Sequence, residues 1–272
     1  MNTTKKNIQS KRREKDMQYI QNFRLLDDDF MSKCFENNIE CTEFVLHIIL
    51  NKDDLKVQQV NTQYAIKNLQ GRSVRLDIYA LDASGRIYNI EIQRSDKGAG
   101  ARRVRYNSSI IDANTLIAGD DFSLLPETYV VFITENDVIG DNLPIYHIDR
   151  MISETGKYFN DGMHIIYVNA SYIDDTPLGI LMHDFSCNDP NDMKYPILAE
   201  RVKYFKRDEE GISIMCKAME EMRNEAAYKA TYEANVKNAV RMLKIGKLSI
   251  EEIAAITELP IDLIKSFSEV KD

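Results

Sequence analysis

Three side chains able to hold a cation, Asp77, Glu91 and Gln93, sit on two short alternating runs. These are Val74-Arg-Leu-Asp-Ile-Tyr79 and Tyr88-Asn-Ile-Glu-Ile-Gln93, joined by the turn-like Asp82-Ala-Ser-Gly85. Successive strand side chains point to opposite faces. Arg75, Asp77 and Tyr79 therefore share one face of the first run, and Val74, Leu76 and Ile78 the other. In the second run Asn89, Glu91 and Gln93 form the polar set, and Tyr88, Ile90 and Ile92 the apolar set. A hairpin of these runs would converge two carboxylates and an amide on one patch. Such a patch suits Mg²⁺, which takes one or two carboxylates and completes its shell with water and substrate phosphate. The same alternation also describes a hairpin with one solvated face and no chemistry, and the pattern alone leaves both readings open.

The stretch that follows bears on the choice. Residues 94–105 carry Arg94, Lys97, Arg102, Arg103 and Arg105 against the single acid Asp96, include Gly98-Ala-Gly100, and run on to Tyr106. Phosphodiester chemistry needs this combination, with acids to hold a metal and bases to hold the flanking phosphates. The chain as a whole has a net charge of −8, which by itself argues against a nucleic-acid partner. Its distribution matters more. Residues 1–15 hold six bases and one acid, and without the two basic stretches the remainder carries −17. A local basic patch on an acidic body predicts modest, salt-sensitive DNA affinity. The N-terminal run reads as a solvated arm rather than a specific binding element.

The order Asp77, then Glu91-Ile-Gln93, resembles the PD-(D/E)XK nuclease signature, in a variant with Gln where Lys is usual. The wider stretch runs from Leu76-Asp-Ile-Tyr through Ile90-Glu-Ile-Gln to Arg102-Arg-Val-Arg-Tyr106. It is similar to the Rpn family of recombination-promoting nucleases and transposases. Asp29-Phe-Met-Ser-Lys-Cys-Phe35, Tyr129-Val-Val-Phe-Ile-Thr134, Tyr167-Val-Asn169 and Met182-His-Asp-Phe185 resemble that family too, so the likeness covers roughly residues 24–210. It implies a restriction-endonuclease-like α/β/α sandwich with a mixed sheet, and a Mg²⁺-dependent (or Mn²⁺-dependent) DNA endonuclease of recombination, mobile-element or phage-defence settings. Asp77, Glu91 and Gln93 would be its catalytic residues, with Asp77 and Glu91 as metal ligands. Arg94, Lys97, Arg102, Arg103, Arg105 and Tyr106 would contact DNA, and two copies would pair as a homodimer to cut both strands. Gln93 supplies only amide hydrogen bonds where Lys would supply charge, so a catalytically silent DNA-binding or regulatory oligomerisation protein is the alternative. Glu43, on an early helix, is either a further acid reaching the metal or an exposed acid on a polar face.

Other chemistries find little support. The four cysteines, at 34, 41, 187 and 216, form no CxxC pair and have no His in zinc-ligand spacing. They read as reduced thiols of a cytoplasmic protein. No Walker A or His-Glu-x-x-His sequence occurs. His183 beside Asp184 is either an acid–base pair or a His next to a capping carboxylate, both near a strand or loop boundary. The longest apolar run, Phe44 to Leu50, falls far short of the ~20 residues that span a bilayer. No apolar stretch follows the basic N-terminus, so no secretory signal is expected.

The elements that must position these residues follow from periodicity. Helices are expected over residues 10–22, after Asp27-Asp-Asp29, over 42–50, over 102–112 and within 145–158. Strands are expected over 57–65, 74–93, 128–134 and 164–168. Helix, strands, helix, strand is the order of an α/β sandwich. Beyond Leu198 the apolar spacing is helical, with a long helix broken at Gly246, a capping box at Ser249-Ile-Glu-Glu252 and a last helix after Pro260. The expected divisions are an arm at 1–22, a nuclease-like domain at 23–198 and a helical tail at 199–272. The tail serves packing, self-association or a helix-turn-helix-like element, though its acidic surface is poor for reading DNA.

Overall fold

A computed structural model describes residues 2–68, 71–94 and 98–269. Helices α1 (Asn2–Asn22), α2 (Asp28–Phe35) and α3 (Ile39–Leu50) precede strands β1 (Val57–Ile66), β2 (Val74–Asp82) and β3 (Ile87–Gln93). Helix α4 (Ala101–Ala113) leads to β4 (Thr128–Thr134), β5 (Ile145–Ile148), β6 (Met151–Ile152), β7 (Lys157–Tyr158) and β8 (Met163–Asn169). Helices α5 (Pro177–Ser186), α6 (Pro196–Arg207), α7 (Glu209–Ile245), α8 (Ile250–Thr257) and α9 (Ile261–Glu269) complete the chain.

Six strands form one mixed sheet in the order β1-β2-β3-β4-β8-β5. The β1-β2-β3 pairings are antiparallel, β3-β4 and β4-β8 are parallel, and β5 returns antiparallel to β8. Every residue of β4 is buried, as a strand covered on both faces requires. Lys52, just past α3, donates to the Tyr129 hydroxyl at 2.9 Å, and Arg103 of α4 lies over the Phe132 ring. Tyr129 and Phe132 point to opposite faces of β4, so α3 and α4 lie on opposite sides of the sheet. The α/β/α sandwich is thus present. The solvated hairpin face is not: Ile87 to Ile92 of β3 are all buried, because β4 pairs along its full length and α4 covers it.

The segment 145–158 departs from the helix expected of it. It forms β5, paired with β8, and then the small β6-β7 hairpin. Gly156 turns the hairpin at φ +65°, and its N–H donates to Ile152 O at 2.9 Å. A left-handed residue there ends any helix, while Ile145, Tyr146 and Ile148 suit a strand.

The chain divides into two units, residues 1–215 and 216–272. The boundaries expected at 22 and 198 both fall inside the first unit. Ile20 of α1 is fully buried, and Gln21 Nε2 donates to Lys206 O of α6 at 2.7 Å. Phe205 of α6 meets Phe30 of α2 edge to face. The second unit holds the end of α7 with α8 and α9, around a core of Ala239, Ile253, Leu259 and Ile264. Its capping box forms as expected, Ser249 Oγ accepting from Glu252 N and Glu252 Oε2 from Ser249 N.

Candidate active site

The β2-β3 ladder pairs Leu81 with Ile87 and runs to Ile78 opposite Ile90. One step further in the same register, Asp77 faces Glu91. Here the Asp77 side chain takes over from the ladder, its Oδ2 accepting from Ile92 N at 3.0 Å. Glu91 is 0 % exposed. Its Oε2 accepts from Arg103 Nη2 at 2.7 Å, while its Oε1 is buried without a hydrogen-bond partner. Asn89, next along the same face, and the backbone N–H of Asp77 favour the Glu91 charge, yet neither Glu91 Oε1 nor either amide atom of Asn89 has a partner in full hydrogen-bond geometry.

Burial disfavours charge on both acids, pushing Asp77 up to about 6 and Glu91 up to about 7. The charge of Asp77 raises Glu91 further, and the Arg103 guanidinium opposes both shifts. Asp28, the first residue of α2, adds negative charge that raises Asp77. This third acid escaped the sequence reading, which took Asp27-Asp-Asp29 as helix-terminal charge. The signal was present, but only the docking of α2 on β2 brings it to the pair. Buried, mutually repelling carboxylates with an orphaned oxygen are the donors a divalent cation satisfies, and an all-oxygen set matches Mg²⁺ or Mn²⁺.

Gln93 is tied to Arg103, whose Nη1 donates to Gln93 Oε1 at 2.8 Å and to Gly98 O at 3.1 Å. A methyl group at Gly98 would overlap the Gln93 amide and push it off Arg103, so glycine here leaves room for that contact. Arg103 therefore belongs to the acid pair. Arg94 is also paired, with Asp27 at 2.6 Å and with Glu135 at 3.3 Å, and Glu135 also binds Arg24 at 2.8 Å. Arg102 and Arg105 stand exposed on α4. The Tyr106 hydroxyl donates to Arg72 O and accepts from Asn68 Nδ2, which fastens α4 to the segment before β2. Lys97 lies outside the described residues.

Two expected placements change. Glu43 accepts from Lys56 Nζ at 2.8 Å and from Val57 N at 2.9 Å. Val57 pairs with Asp82, five residues along β2 from Asp77, a span of about 17 Å at strand rise. Glu43 secures the start of β1 and does not join the acid pair. His183 and Asp184 lie on a helix and not on a strand, in α5, which Thr176 caps at its start, with His183 in the last turn beside the loop that follows. Asp184 accepts from the N–H groups of Lys194 and Tyr195 at 2.8 and 2.7 Å and so holds the segment that leads into α6.

Among the described residues no helix is long and apolar enough to cross a membrane. No curated protein and no solved structure matches the chain. A family model does, that of the PD-(D/E)XK nuclease family transposases, over residues 30–177. The match takes in Asp77, Glu91, Gln93 and the whole of α4, and leaves Asp28 just outside. With more than half of its length so matched, on a mixed sheet that sets Asp77 against Glu91, the chain belongs to the PD-(D/E)XK nuclease family transposases.

Proposed function

We propose that this chain is a divalent-cation-dependent DNA endonuclease in which Asp77 and Glu91 hold Mg²⁺ or Mn²⁺. The observation that carries the reading is Glu91 Oε1, a buried carboxylate oxygen without a partner beside a second acid. When bound, the cation supplies a Lewis acid that activates water and offsets phosphate charge. The absent Lys at position 93 is made good from α4. Gln93 holds the Arg103 guanidinium, which uses three of its five N–H donors on Glu91, Gln93 and Gly98 and keeps two for a non-bridging phosphate oxygen. Arg103 would then stabilise the negative charge that builds on the non-bridging phosphate oxygens as water adds to phosphorus and the P–O bond to the leaving group breaks. Arg102 and Arg105 hold flanking phosphates. Two copies, paired through the helices of the second unit, cut both strands of a duplex.

Supercoiled plasmid incubated with the purified chain tests this. Nicking is expected with Mg²⁺ or Mn²⁺ and not with chelator, and a loss of ~100-fold or more in Asp77→Asn and Glu91→Gln. Unchanged nicking by folded Asp77→Asn protein removes the pair from the mechanism. The alternative, a catalytically silent DNA-binding protein, is favoured by one feature: Arg103 already neutralises Glu91. It predicts retardation of DNA with no nicking in either metal.

A further inference from the structure

A second cluster of ligand-type side chains lies outside the acid pair. His183 and Cys187 stand one helical turn apart at the C-terminal end of α5, with Cys187 as its cap residue. Cys187 Sγ is 3.7 Å from His183 Nδ1 and 3.7 Å from Nε2, and His183 Nδ1 is 3.1 Å from Asp184 Oδ1. One donor atom from each of the three residues lies within 4.8 Å of the others. A tetrahedral zinc with Zn–S near ~2.3 Å and Zn–N near ~2.05 Å separates sulfur from nitrogen by about 3.5 Å. The separation is right for one ion, and because the sulfur is equally far from both ring nitrogens and so lies over the imidazole face, a turn of the His183 ring brings a nitrogen lone pair to it.

We propose that His183, Asp184 and Cys187 form a binding site for a thiophilic divalent cation of the zinc type, distinct from the Asp77–Glu91 site. Thiolate and imidazole select Zn²⁺ or Co²⁺ over Mg²⁺. The proton of the Cys187 thiol is the one the ion displaces, while the neutral His183 imidazole keeps its single proton on the ring nitrogen that does not bind the ion. The surroundings suit a cation. Asp184 is itself preset, fully buried and held by two backbone N–H groups. His183 and Cys187 are only half-buried, which leaves a way in and a fourth position for water. Cys187 opens the segment 187–195 and Asp184 holds its far end. An ion here would clip that connection between α5 and α6 closed.

Co²⁺ added to the reduced full-length chain is the test, because cobalt bound to a thiolate gives a near-ultraviolet charge-transfer band and a tetrahedral visible spectrum. Wild type is expected to show one equivalent of thiolate-bound Co²⁺, displaced by Zn²⁺. Cys187→Ser should lose the band, and His183→Ala should bind ~10–100-fold more weakly. Cys216→Ser, and the double variant Asp77→Asn/Glu91→Gln, should keep it. In wild type, Zn²⁺ should also protect Cys187 from alkylation, read by mass spectrometry, which needs no variant to fold. A wild-type chain without the thiolate band, a band that survives in Cys187→Ser, or Cys187 alkylated equally with and without Zn²⁺ overturns the site.

Discussion

Glu91 is a carboxylate placed where its charge is least welcome, in a strand buried on both faces with a second acid opposite. Its raised pKa and that of Asp77 make stability depend on pH in a definite sense. Between the unfolded values near 4 and the folded values of about 6 and about 7, the native chain holds more protons than the unfolded one. Stability from these groups is therefore greatest below pH 4 and falls as pH rises to about 7. Removing the Glu91 charge should recover part of the loss. Glu91→Gln is expected to match wild type in urea midpoint near pH 4 and to exceed it at pH 8, by an amount on the order of 1–3 kcal/mol. Mg²⁺ should raise the midpoint of wild type at pH 8 and leave that of Glu91→Gln unchanged. Equal midpoints at both pH values, with no effect of Mg²⁺, would show that Glu91 titrates normally and holds no cation.

Helix α4 sorts the basic cluster into two jobs. Its inward residues Val104, Ile110 and Ile111 pack with Val130 and Phe132 of β4 and with Tyr167 of β8, and the Tyr167 hydroxyl donates to Ala99 O at 2.6 Å just before the helix starts. That seating aims Arg103 at Glu91 and leaves Arg102 and Arg105 in solvent. Neutralising Arg102 and Arg105 together is therefore expected to weaken DNA binding and to flatten the plot of log K against log salt by about two, one ion for each lost phosphate contact. An unchanged slope would mark them as a solvated helix face. Arg94, engaged by Asp27 and Glu135, is expected to add less to DNA affinity than its position in the sequence suggests, since a paired side chain must first be released.

For the whole molecule, the two units pose different problems. The first has a covered sheet and a core of its own. The second has a small core at its end, while α7 over residues 224–234 is exposed on every side, including the stacked Tyr228 and Tyr232. A helix in that condition draws its stability from a partner surface rather than from propensity. The homodimer proposed above would supply one, since a two-fold pair uses the same patch on both chains. Light scattering on the full chain at concentrations on the order of tens of micromolar should then give the mass of a dimer. A monomer at those concentrations excludes pairing through this helix as the way two strands are cut.

Local chemistry alone determined a good deal. Alternation with period two places Asp77 and Glu91 on strands, the turn between them sets the register, and that register makes them opposite. Ser249 and Glu252 announce their helix because a capping box involves only four residues, and Gly246 ends α7 at φ +67° for an equally local reason. What lay beyond the sequence was every property that depends on distant segments. Burial of Glu91 needs β4, some forty residues on, and the covering helix α4. The same holds for the partners of charge: Arg94 meets Asp27 across the fold, Asp28 reaches Asp77 from another element, and Glu43 is drawn to Lys56 instead. Residues 145–148 became a strand because β8 offered an unpaired edge, and residues 151–158 followed as a separate hairpin turned at Gly156. A carboxylate's position is written in its strand, but its protonation is decided by what the fold packs around it.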